Sequence, residues 1–331
     1  MLTKHPISVP NLKDYRDYFA SQGVSTPLRN VPFSEVGLLK ELPSPKDRTG
    51  WPWTVETKIN FGESFLAPKI SIVMPSYNQG KYVEETIRSV LLQNYPNLEF
   101  IVCDGGSTDN TIEILEKYSP WLSFWQSKKD RGQGHAINLG FSLASGDYFG
   151  WINSDDFYSP NCLYKVAKQF VEVNKDFIYG DSLTLDENKK WLSYTQSFLV
   201  LDRYLRFGGI IPSHAAFWKK SIHQPIWEDL NCAVDAELWL RLVVKRSKSH
   251  LRYPLAVSRV QPDAKSVNEG YQKLWEDDYN KKIWKAYESV NFWQLRCYEF
   301  RYIQKIYKHL FKPIPKQIIQ GLLQRDDLTL F

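Results

Sequence analysis

The sequence is poor in cysteine, and its cysteines do not occur in pairs. Cys103, Cys162, Cys232 and Cys297 lie far apart, with no Cys-x-x-Cys motif among them. This spacing argues against a structural zinc site and provides no disulfide framework. No run of about 18 or more apolar residues occurs, so no segment is expected to cross a membrane. Because the first residues also lack the apolar run of a signal peptide, we expect a cytoplasmic protein.

An excess of one sign of charge is also missing. The formal net charge of +5 in 331 residues is too small to indicate a nucleic-acid partner. Aromatic residues are abundant instead, at 15% of the chain. They suit stacking on sugars and nucleobases, although a tryptophan-rich core is the simpler explanation. The length allows one large α/β domain with additions, or two domains.

Proline punctuates the first 68 residues. A helix is predicted over residues 12–21, and the remainder looks extended, with aromatic side chains such as Trp51 and Trp53 that could anchor it. These aromatic residues argue against disorder. We therefore interpret residues 1–68 as an arm that wraps the main domain.

From residue 69 onward, short apolar runs alternate with helical patterns. Runs over 70–74, 98–103, 122–126 and 148–152 predict strands. Their succession predicts right-handed crossovers and an α/β fold with a mostly parallel sheet flanked by helices. In such sheets ligands bind outside the carboxyl ends of the strands. The polar residues expected there are Tyr77, Asn78, Asp104, Asp130, Arg131, Asp155 and Asp156.

The adjacent carboxylates of Asp155 and Asp156 follow the fourth predicted strand. They would be costly to bury unpaired, and side by side they repel. A divalent cation removes both problems, and Mg²⁺ is commonly held by one or two carboxylates plus substrate phosphates. The alternative is a solvated Asp-Asp turn that caps the next helix. That helix is predicted over 160–174, after a turn at 157–160.

The second half of the chain is more mixed. A strand from 177, a hairpin over 182–196, strands over 213–218 and 253–260 and a helix over 236–244 are predicted. Helices are expected from about residue 269. Within them, residues 301–316 are basic and amphipathic, without an acidic residue. Such a segment is typical of helices on an anionic membrane surface, or of a packed helix with a solvated basic edge.

Four motifs, in order, resemble the family 2 glycosyltransferases of GT-A fold. They are Ile-Val-Met-Pro-Ser-Tyr-Asn at 72–78, Asp-Gly-Gly-Ser-Thr-Asp at 104–109, Asp-Arg-Gly-Gln at 130–133 and Asn-Ser-Asp-Asp at 153–156. The resemblance covers residue 69 to about residue 156 and continues weakly to about residue 266. It implies an inverting hexosyl- or N-acetylhexosaminyltransferase that uses a nucleotide-sugar, most often a UDP-sugar, with Mg²⁺ or Mn²⁺. The acceptor would be a glycan or a lipid-linked molecule. The enzyme would then work in the cytoplasm or at the inner face of the membrane.

The resemblance divides the chain into four parts. Residues 1–68 form the arm, and residues 69–182 form the nucleotide-sugar-binding half of a GT-A domain. Residues 183–268 form the acceptor-binding half, and residues 269–331 form a helical, basic extension that lies outside the resemblance.

The resemblance also implies roles for residues of the donor site. Pro75, Tyr77 and Asn78 would line the nucleotide pocket. Asp104 would accept a hydrogen bond from the base, and a carboxylate there can recognise the N3–H of uracil. Asp130 would help to complete the nucleoside site.

Arg131 would share that role at the nucleoside site. Asp155 and Asp156 would bind the ribose and the metal, in an order that stays open. The family often has an acidic residue where this chain has Asn153. An amide is a weaker ligand for a hard metal, so Asn153 is the second choice.

The catalytic base is expected just before a helix that reads Leu-Trp-Leu-Arg-Leu. Asp235 matches this position in the family, and Glu237 is its rival. The structural alternative for Asp235 is an N-cap of the helix, and both roles could hold. As a base it would take a proton from the acceptor hydroxyl.

One departure from the family pattern concerns Gln261, which stands where relatives often have a histidine. Its presence puts a third protein ligand for the metal in doubt and leaves Lys265 as the expected phosphate contact. His214 is expected to face the donor sugar or the acceptor, or else to be a satisfied core histidine.

Features of the sequence argue against two other functions. A catalytically weak nucleotide-sugar-binding module would explain Asn153 and Gln261, but Asp235 and the intact carboxylate pair argue against it. A nucleotidyltransferase would need a glycine-rich, basic triphosphate loop after the first strand, which is absent. Residues 132–134 resemble a dinucleotide fingerprint, but Ile137 occupies the third glycine position.

Overall fold

The computed structural model describes residues 6–58, 66–207, 210–262, 264–265, 267–287, 293–310, 316–325 and 327–330. In these ranges the strands form a mixed sheet with helices on both faces. The strands are β1 (Ile70–Ser76), β2 (Leu98–Asp104), β3 (Phe124–Ser127), β4 (Tyr148–Trp151), β5 (Phe157–Tyr158), β6 (Phe177–Asp186), β7 (Trp191–Thr195), β8 (Ala216–Lys219), β9 (Lys248–Val260) and β10 (Thr329–Leu330). The α-helices are α1 (Leu12–Ser21), α2 (Val83–Leu91), α3 (Thr111–Tyr118), α4 (Gln133–Leu143), α5 (Cys162–Val173), α6 (Val234–Leu242), α7 (Gln272–Glu276), α8 (Trp284–Tyr287), α9 (Trp293–Leu310) and α10 (Lys316–Leu323).

The centre of the sheet is parallel, as the alternating pattern predicts. β1 pairs in parallel with β2 and β4, and β2 pairs in parallel with β3. Every residue of β1 and β2 is buried. Because helices cover both faces of these strands, their sequences are nearly continuous apolar runs. Beyond β4 the sheet becomes antiparallel through β8, β6 and β7.

Two hydrophobic layers enclose the sheet. One contains the apolar faces of α2, α3 and α5, together with Leu42 and Trp51 of the arm. The other contains α4, α6 and Phe19 of α1. The arm therefore contributes to both layers of the core.

Described residues of the predicted arm contact the sheet and helices of the domain. The guanidinium of the buried Arg88 on α2 donates to the main-chain oxygens of Pro52 and Trp53. The indole N–H of Trp51 donates to the main-chain oxygen of Tyr158 at 2.7 Å. A hydrogen bond from a charged donor contributes about 1.5–3 kcal/mol, so Arg88 is a strong attachment point.

Three local predictions differ from the structure, one in the type of element and two in their bounds. Residues 157–160, expected to be a turn, include β5, which pairs with β9. The strand expected over 213–218 begins with a 3₁₀ turn at Ser213–Ala215 before β8. The strand predicted over 253–260 is confirmed as part of β9, which starts earlier because its first residues pair with β6. β5 was missed because its partner β9 lies far away in the sequence.

The C-terminal extension is helical, as predicted, and then returns to the sheet. A π-helical segment, Asp277–Ile283, joins α7 to α8, and after α10 the strand β10 pairs in parallel with β7. β6 runs through residue 182, so the two predicted halves on either side of it share one sheet. None of the helices in the described ranges is long and apolar enough to cross a membrane.

Candidate functional site

The loops that follow β1 and β2 meet at one edge of the sheet. Ser76 lies beside Asp104 in the strand register, so the two loops leave the sheet at the same level. The main-chain N–H of Asn78 donates to Oγ of Ser107 at 2.7 Å. Its side-chain Oδ1 accepts from the main-chain N–H of Thr108 at 2.8 Å. Asn78 therefore joins the two loops and lies in the left-handed region, at a φ of 50°.

The carboxylate of Asp104 organises the turn after β2. Its Oδ2 accepts hydrogen bonds from the main-chain N–H groups of Gly106 and Ser107 and from Oγ of Ser127. Its Oδ1 accepts from Oγ of Ser107 at 2.6 Å. Only 2% of Asp104 is exposed. The sequence did not indicate this structural role. A contact between Asp104 and a nucleobase would have to use the remaining lone pair of Oδ1.

Asp130 is the more open carboxylate at this edge. Its Oδ1 accepts from the main-chain N–H of Gly132 at 2.7 Å. A Cβ atom at position 105 would lie 2.9 Å from Oδ2 of Asp130, so the close approach of these loops requires Gly105. Burial raises the pKa of Asp130. The structure thus places a second carboxylate directly beside the turn that Asp104 organises.

Arg131 is held by two residues that the sequence patterns did not indicate. Its guanidinium donates to Oε2 of Glu228 and to the hydroxyl of Tyr15, both at 2.6 Å. The Tyr15 hydroxyl donates in turn to Oε1 of Glu228 at 2.7 Å. Glu228 lies 97 residues and Tyr15 lies 116 residues from Arg131 in the sequence, so no local signal could find them. The arm thus contacts the rim of the candidate donor site.

Tyr77 is the exposed aromatic ring of this edge, with 60% of its surface accessible. It is therefore free to stack on a planar ligand. Pro75 is buried within β1, which continues to Ser76. Oγ of Ser76 is buried and has no hydrogen-bond partner in the described part of the chain. Since a buried unsatisfied hydroxyl is costly, Ser76 is a further candidate for ligand contact.

Asp155 and Asp156 lie in different environments. Asp156 is buried, and its Oδ1 accepts from the main-chain N–H of Arg259 at 3.0 Å. Its main-chain oxygen accepts from Oγ1 of Thr86 at 2.6 Å. Asp155 is partly exposed. Burial raises the pKa of both carboxyls, and the charge of Asp155 raises that of Asp156 further.

Three polar side chains surround this pair. Nδ1 of His214 lies 3.7 Å from Oδ2 of Asp156. Nε2 of His214 is buried with no partner among the residues that the structure describes. Burial lowers the pKa of His214 to about 4, so its imidazole is neutral at pH 7. Gln261 hydrogen-bonds to Asp155, and Asn153 hydrogen-bonds to Asp156. His214 is therefore a neighbour of the carboxylate pair.

Lys265 is linked to the same edge of the sheet. Its Nζ donates to Oε1 of Gln133 at 3.2 Å and to the main-chain oxygen of Asn231 at 2.7 Å. Nε2 of Gln133 donates to Oδ1 of Asn153 at 2.8 Å. These hydrogen bonds connect the Asn-Ser-Asp-Asp segment to the loop before α6. Burial lowers the pKa of Lys265.

Asp235 and Glu237 lie in the first turn of α6 but differ in their partners. Glu237 is fully buried, pairs with the guanidinium of Arg241 through two contacts of 2.7 Å, and accepts from the Tyr287 hydroxyl at 2.6 Å. Asp235 is partly exposed and accepts from the main-chain N–H of Ala236 at 2.8 Å. Burial raises the pKa of Asp235 to about 6. Glu237 therefore belongs to a structural ion pair, and Asp235 is the carboxylate available for chemistry.

The N-cap of α6 is Ala233, so the capping alternative for Asp235 is wrong. The loop before the helix is held instead by Asp278, whose Oδ2 accepts from the main-chain N–H groups of Asn231, Cys232 and Ala233. Asp278 is fully buried and belongs to the C-terminal extension. That extension therefore positions the helix that carries Asp235.

No three His, Cys, Asp or Glu side chains in the described ranges are grouped closely enough to enclose a metal ion. Asp155 and Asp156 nevertheless suit a divalent cation that is shared with a phosphate ligand. Both are adjacent carboxylates whose charged forms are disfavoured by burial. A cation would offset that cost, and Mg²⁺ typically uses one or two carboxylates with substrate phosphates.

Comparisons with known proteins agree with this geometry. Residues 71–225 match the model of the family described as glycosyl transferase family 2. An uncharacterized glycosyltransferase of Rickettsia felis is 36% identical over 145 residues, which cover 42% of this chain and 23% of that protein. Another from Rickettsia typhi is 29% identical over 244 residues, which cover 67% of this chain and 75% of that protein. The chain thus spans from about a quarter to three quarters of the length of these relatives.

A solved structure shows the same fold. The crystal structure of S. aureus TarS 1–349, in complex with UDP-GlcNAc, superposes with a TM-score of 0.54 at 18% identity. The match covers 77% of this chain and 81% of that one. Residues 71–225, just under half of the chain, thus match glycosyl transferase family 2, and the described sheet has the GT-A fold of its structural neighbours.

Proposed function

We propose that the protein is a metal-dependent, inverting glycosyltransferase that moves a sugar from a UDP-sugar to a hydroxyl of a glycan or lipid-linked acceptor. The observation that carries this proposal is the difference between Asp235 and Glu237. One carboxylate of the first turn of α6 is fixed in an ion pair, and the other is partly exposed with a pKa of about 6. A base with such a pKa is charged and still basic at pH 7.

The donor nucleotide is proposed to lie across the loops after β1, β2 and β3. Tyr77 would stack on the base, and Pro75 and Asn78 would shape the pocket beneath it. Asp104 or Asp130 would accept the N3–H of uracil. Of these two, Asp130 is less occupied by hydrogen bonds from its own chain. Solved TarS in complex with UDP-GlcNAc supports a uridine donor only through the likeness in fold.

Asp155 and Asp156 are proposed to hold Mg²⁺ or Mn²⁺ together with the diphosphate and the ribose. The bound ion would neutralise the charge that grows on the leaving nucleoside diphosphate. Lys265 would contact the same diphosphate, since it is linked to Asn153 through Gln133. The more exposed Asp155 is the better placed of the pair to meet a ligand.

Asp235 is proposed to take the proton of the acceptor hydroxyl as that oxygen attacks the anomeric carbon. The bond from this carbon to the diphosphate oxygen breaks in the same step, so the configuration inverts. His214 would face the donor sugar or the acceptor beside Asp156. Arg131, held by Glu228 and Tyr15, would border the nucleoside.

A catalytically weak nucleotide-sugar-binding module is the alternative. Asn153 and Gln261 favour it, since neither is the residue often found there in the family. Their contacts argue the other way, because each amide donates a hydrogen bond to one carboxylate of the pair and so helps to orient it. The sugar would be a hexosyl or N-acetylhexosaminyl group, and the reaction would occur on the cytoplasmic side of the membrane.

The test is a panel of UDP-, GDP- and dTDP-sugars with Mg²⁺ or Mn²⁺. Release of nucleoside diphosphate and the anomeric configuration of any product are measured. Metal-dependent release from a UDP-sugar, abolished in Asp235→Asn and retained in a variant of a remote exposed residue such as Lys168→Gln, supports the proposal. Binding of donors without release from any of them would favour the binding module.

A further inference from the structure

Exposed apolar side chains form a stripe along α9. Tyr302, Ile306 and Leu310 are 68%, 42% and 68% exposed, respectively. They recur every four residues, so they lie along one side of the helix. Other large apolar residues with exposed surfaces, such as Val36 in a turn and Val171 on α5, lie in separate segments of the chain. Single exposed apolar residues are ordinary, but an aligned set indicates an interaction surface.

The opposite side of α9 is fixed to the body of the protein. The ring of Phe300 packs on Tyr204 with centroids 5.0 Å apart. Gln304 exchanges two hydrogen bonds with the main chain of Leu199. The Tyr307 hydroxyl hydrogen-bonds to Nδ1 of His250. Since these contacts fix the rotation of the helix, the apolar stripe is held in an outward direction.

Basic residues run beside the stripe. Arg301, Lys305 and His309 each precede one stripe residue by one position, and all three are exposed. Lys308 is also exposed. The sequence has no acidic residue from Arg301 to Lys316. One side of α9 therefore combines an apolar strip with a band of positive charge.

We propose that this face of α9 docks on an anionic lipid surface. The apolar strip would enter the boundary between headgroups and acyl chains, and the basic band would lie against the headgroups. The same charges disfavour a second copy of the chain as the occupant, because two such faces would place like charges together. The surface binds independently of sugar transfer, and it would bring a lipid-linked acceptor within reach of the enzyme.

Sedimentation of the full chain with phosphatidylcholine vesicles, with and without phosphatidylglycerol, tests this surface in the absence of donor and metal. We expect binding to the anionic vesicles, weakened by salt. The variant Ile306→Ser with Leu310→Ser should lose most of that binding, and Val171→Ser on α5 should retain it. Each basic side chain contributes enough for roughly a fivefold change in affinity.

Arg301→Gln with Lys305→Gln should therefore bind roughly 25-fold more weakly than the wild type. The matched control is Lys13→Gln with Lys168→Gln, which removes the same charge from two exposed lysines on α1 and α5. Equal binding to neutral and anionic vesicles, or unchanged binding in the Ile306/Leu310 variant, would overturn the proposal. A dimer in light scattering that dissociates in that variant would instead assign the face to self-association.

Discussion

The main-chain N–H of Arg259 donates to Oδ1 of Asp156 at 3.0 Å, across 103 residues of sequence. The Arg259 guanidinium also donates to the main-chain oxygen of Asp155 at 2.8 Å and pairs with the carboxylates of Glu85 and Glu187. Strand β9 thus holds the Asp155–Asp156 segment through both the main chain and the side chain of Arg259. The orientation of the carboxylate pair depends on a residue that no motif indicates.

We predict that Arg259→Gln loses stability and metal affinity together. The substitution removes one of the two cations that pair with the buried Glu85, and breaking a buried ion pair costs about 3–5 kcal/mol. The segment 155–156 also loses a support, so Mn²⁺ should bind more weakly. Urea unfolding and Mn²⁺ titration measure the two effects. The control is Arg252→Gln on the same strand, whose side chain is exposed; equal losses in both variants would contradict the prediction.

The pH dependence of transfer should follow Asp235. Because burial raises its pKa to about 6, the base is protonated below that pH and charged above it. The rate at subsaturating donor should therefore fall as the pH drops through about 6. Asp235→Asn should lower transfer by about 10²–10⁴-fold at pH 7, where the wild-type carboxylate is charged. A wild-type profile that stays flat from pH 7 down to 5 would exclude this carboxylate as the base.

Ionisation of Asp235 should raise the transfer rate but lower the free energy of unfolding. A carboxyl whose pKa is raised on folding binds its proton more tightly in the folded state, so its ionisation destabilises the fold as the pH rises from about 4 to 6. Asp235→Asn should therefore unfold at higher urea concentration than the wild type at pH 7. The difference, of about 1–3 kcal/mol, should vanish near pH 3.5, where both side chains are neutral.

Glu237→Gln should have the converse phenotype to Asp235→Asn. Glu237 pairs with Arg241 and accepts from Tyr287 in a buried site, so its loss should cost about 3 kcal/mol of unfolding free energy. The folded fraction of this variant should still show a transfer rate that falls below about pH 6, because Asp235 is unchanged. Should Glu237→Gln instead abolish turnover at wild-type stability, the base would have to be reassigned to Glu237.

Asp278→Asn should lower kcat with little effect on the KM for the donor. Its carboxylate accepts three main-chain N–H groups of the loop before α6 and pairs with Lys282. The loss of charge-assisted hydrogen bonds should loosen that loop by about 1–3 kcal/mol and misplace Asp235. Steady-state kinetics separates kcat from KM, and the neighbouring Asp277→Asn is the control. A change confined to KM would argue that the loop serves donor binding.

The sequence was most informative where each strand carries its own signal. β1 and β2 are buried on both faces, so their apolar runs could be recognised without knowledge of their neighbours. β5 could not be predicted, since two residues become a strand only through pairing with β9. The same limit applies to the site. Asp235 could be selected by its motif, whereas Glu228 and Asp278 matter only through main-chain and side-chain partners in distant segments.

The return of the C-terminal segment to the arm has a consequence for synthesis of the chain. The main-chain N–H of Trp51 donates to the main-chain oxygen of Leu323 at 2.7 Å, and Arg325 pairs with Glu85, which also holds Arg259. Glu85 can therefore have both of its cations only after Arg325 has left the ribosome. Strands β1 and β2 can form earlier, but the support behind the carboxylate pair is completed only when the segment around Arg325 has been synthesised.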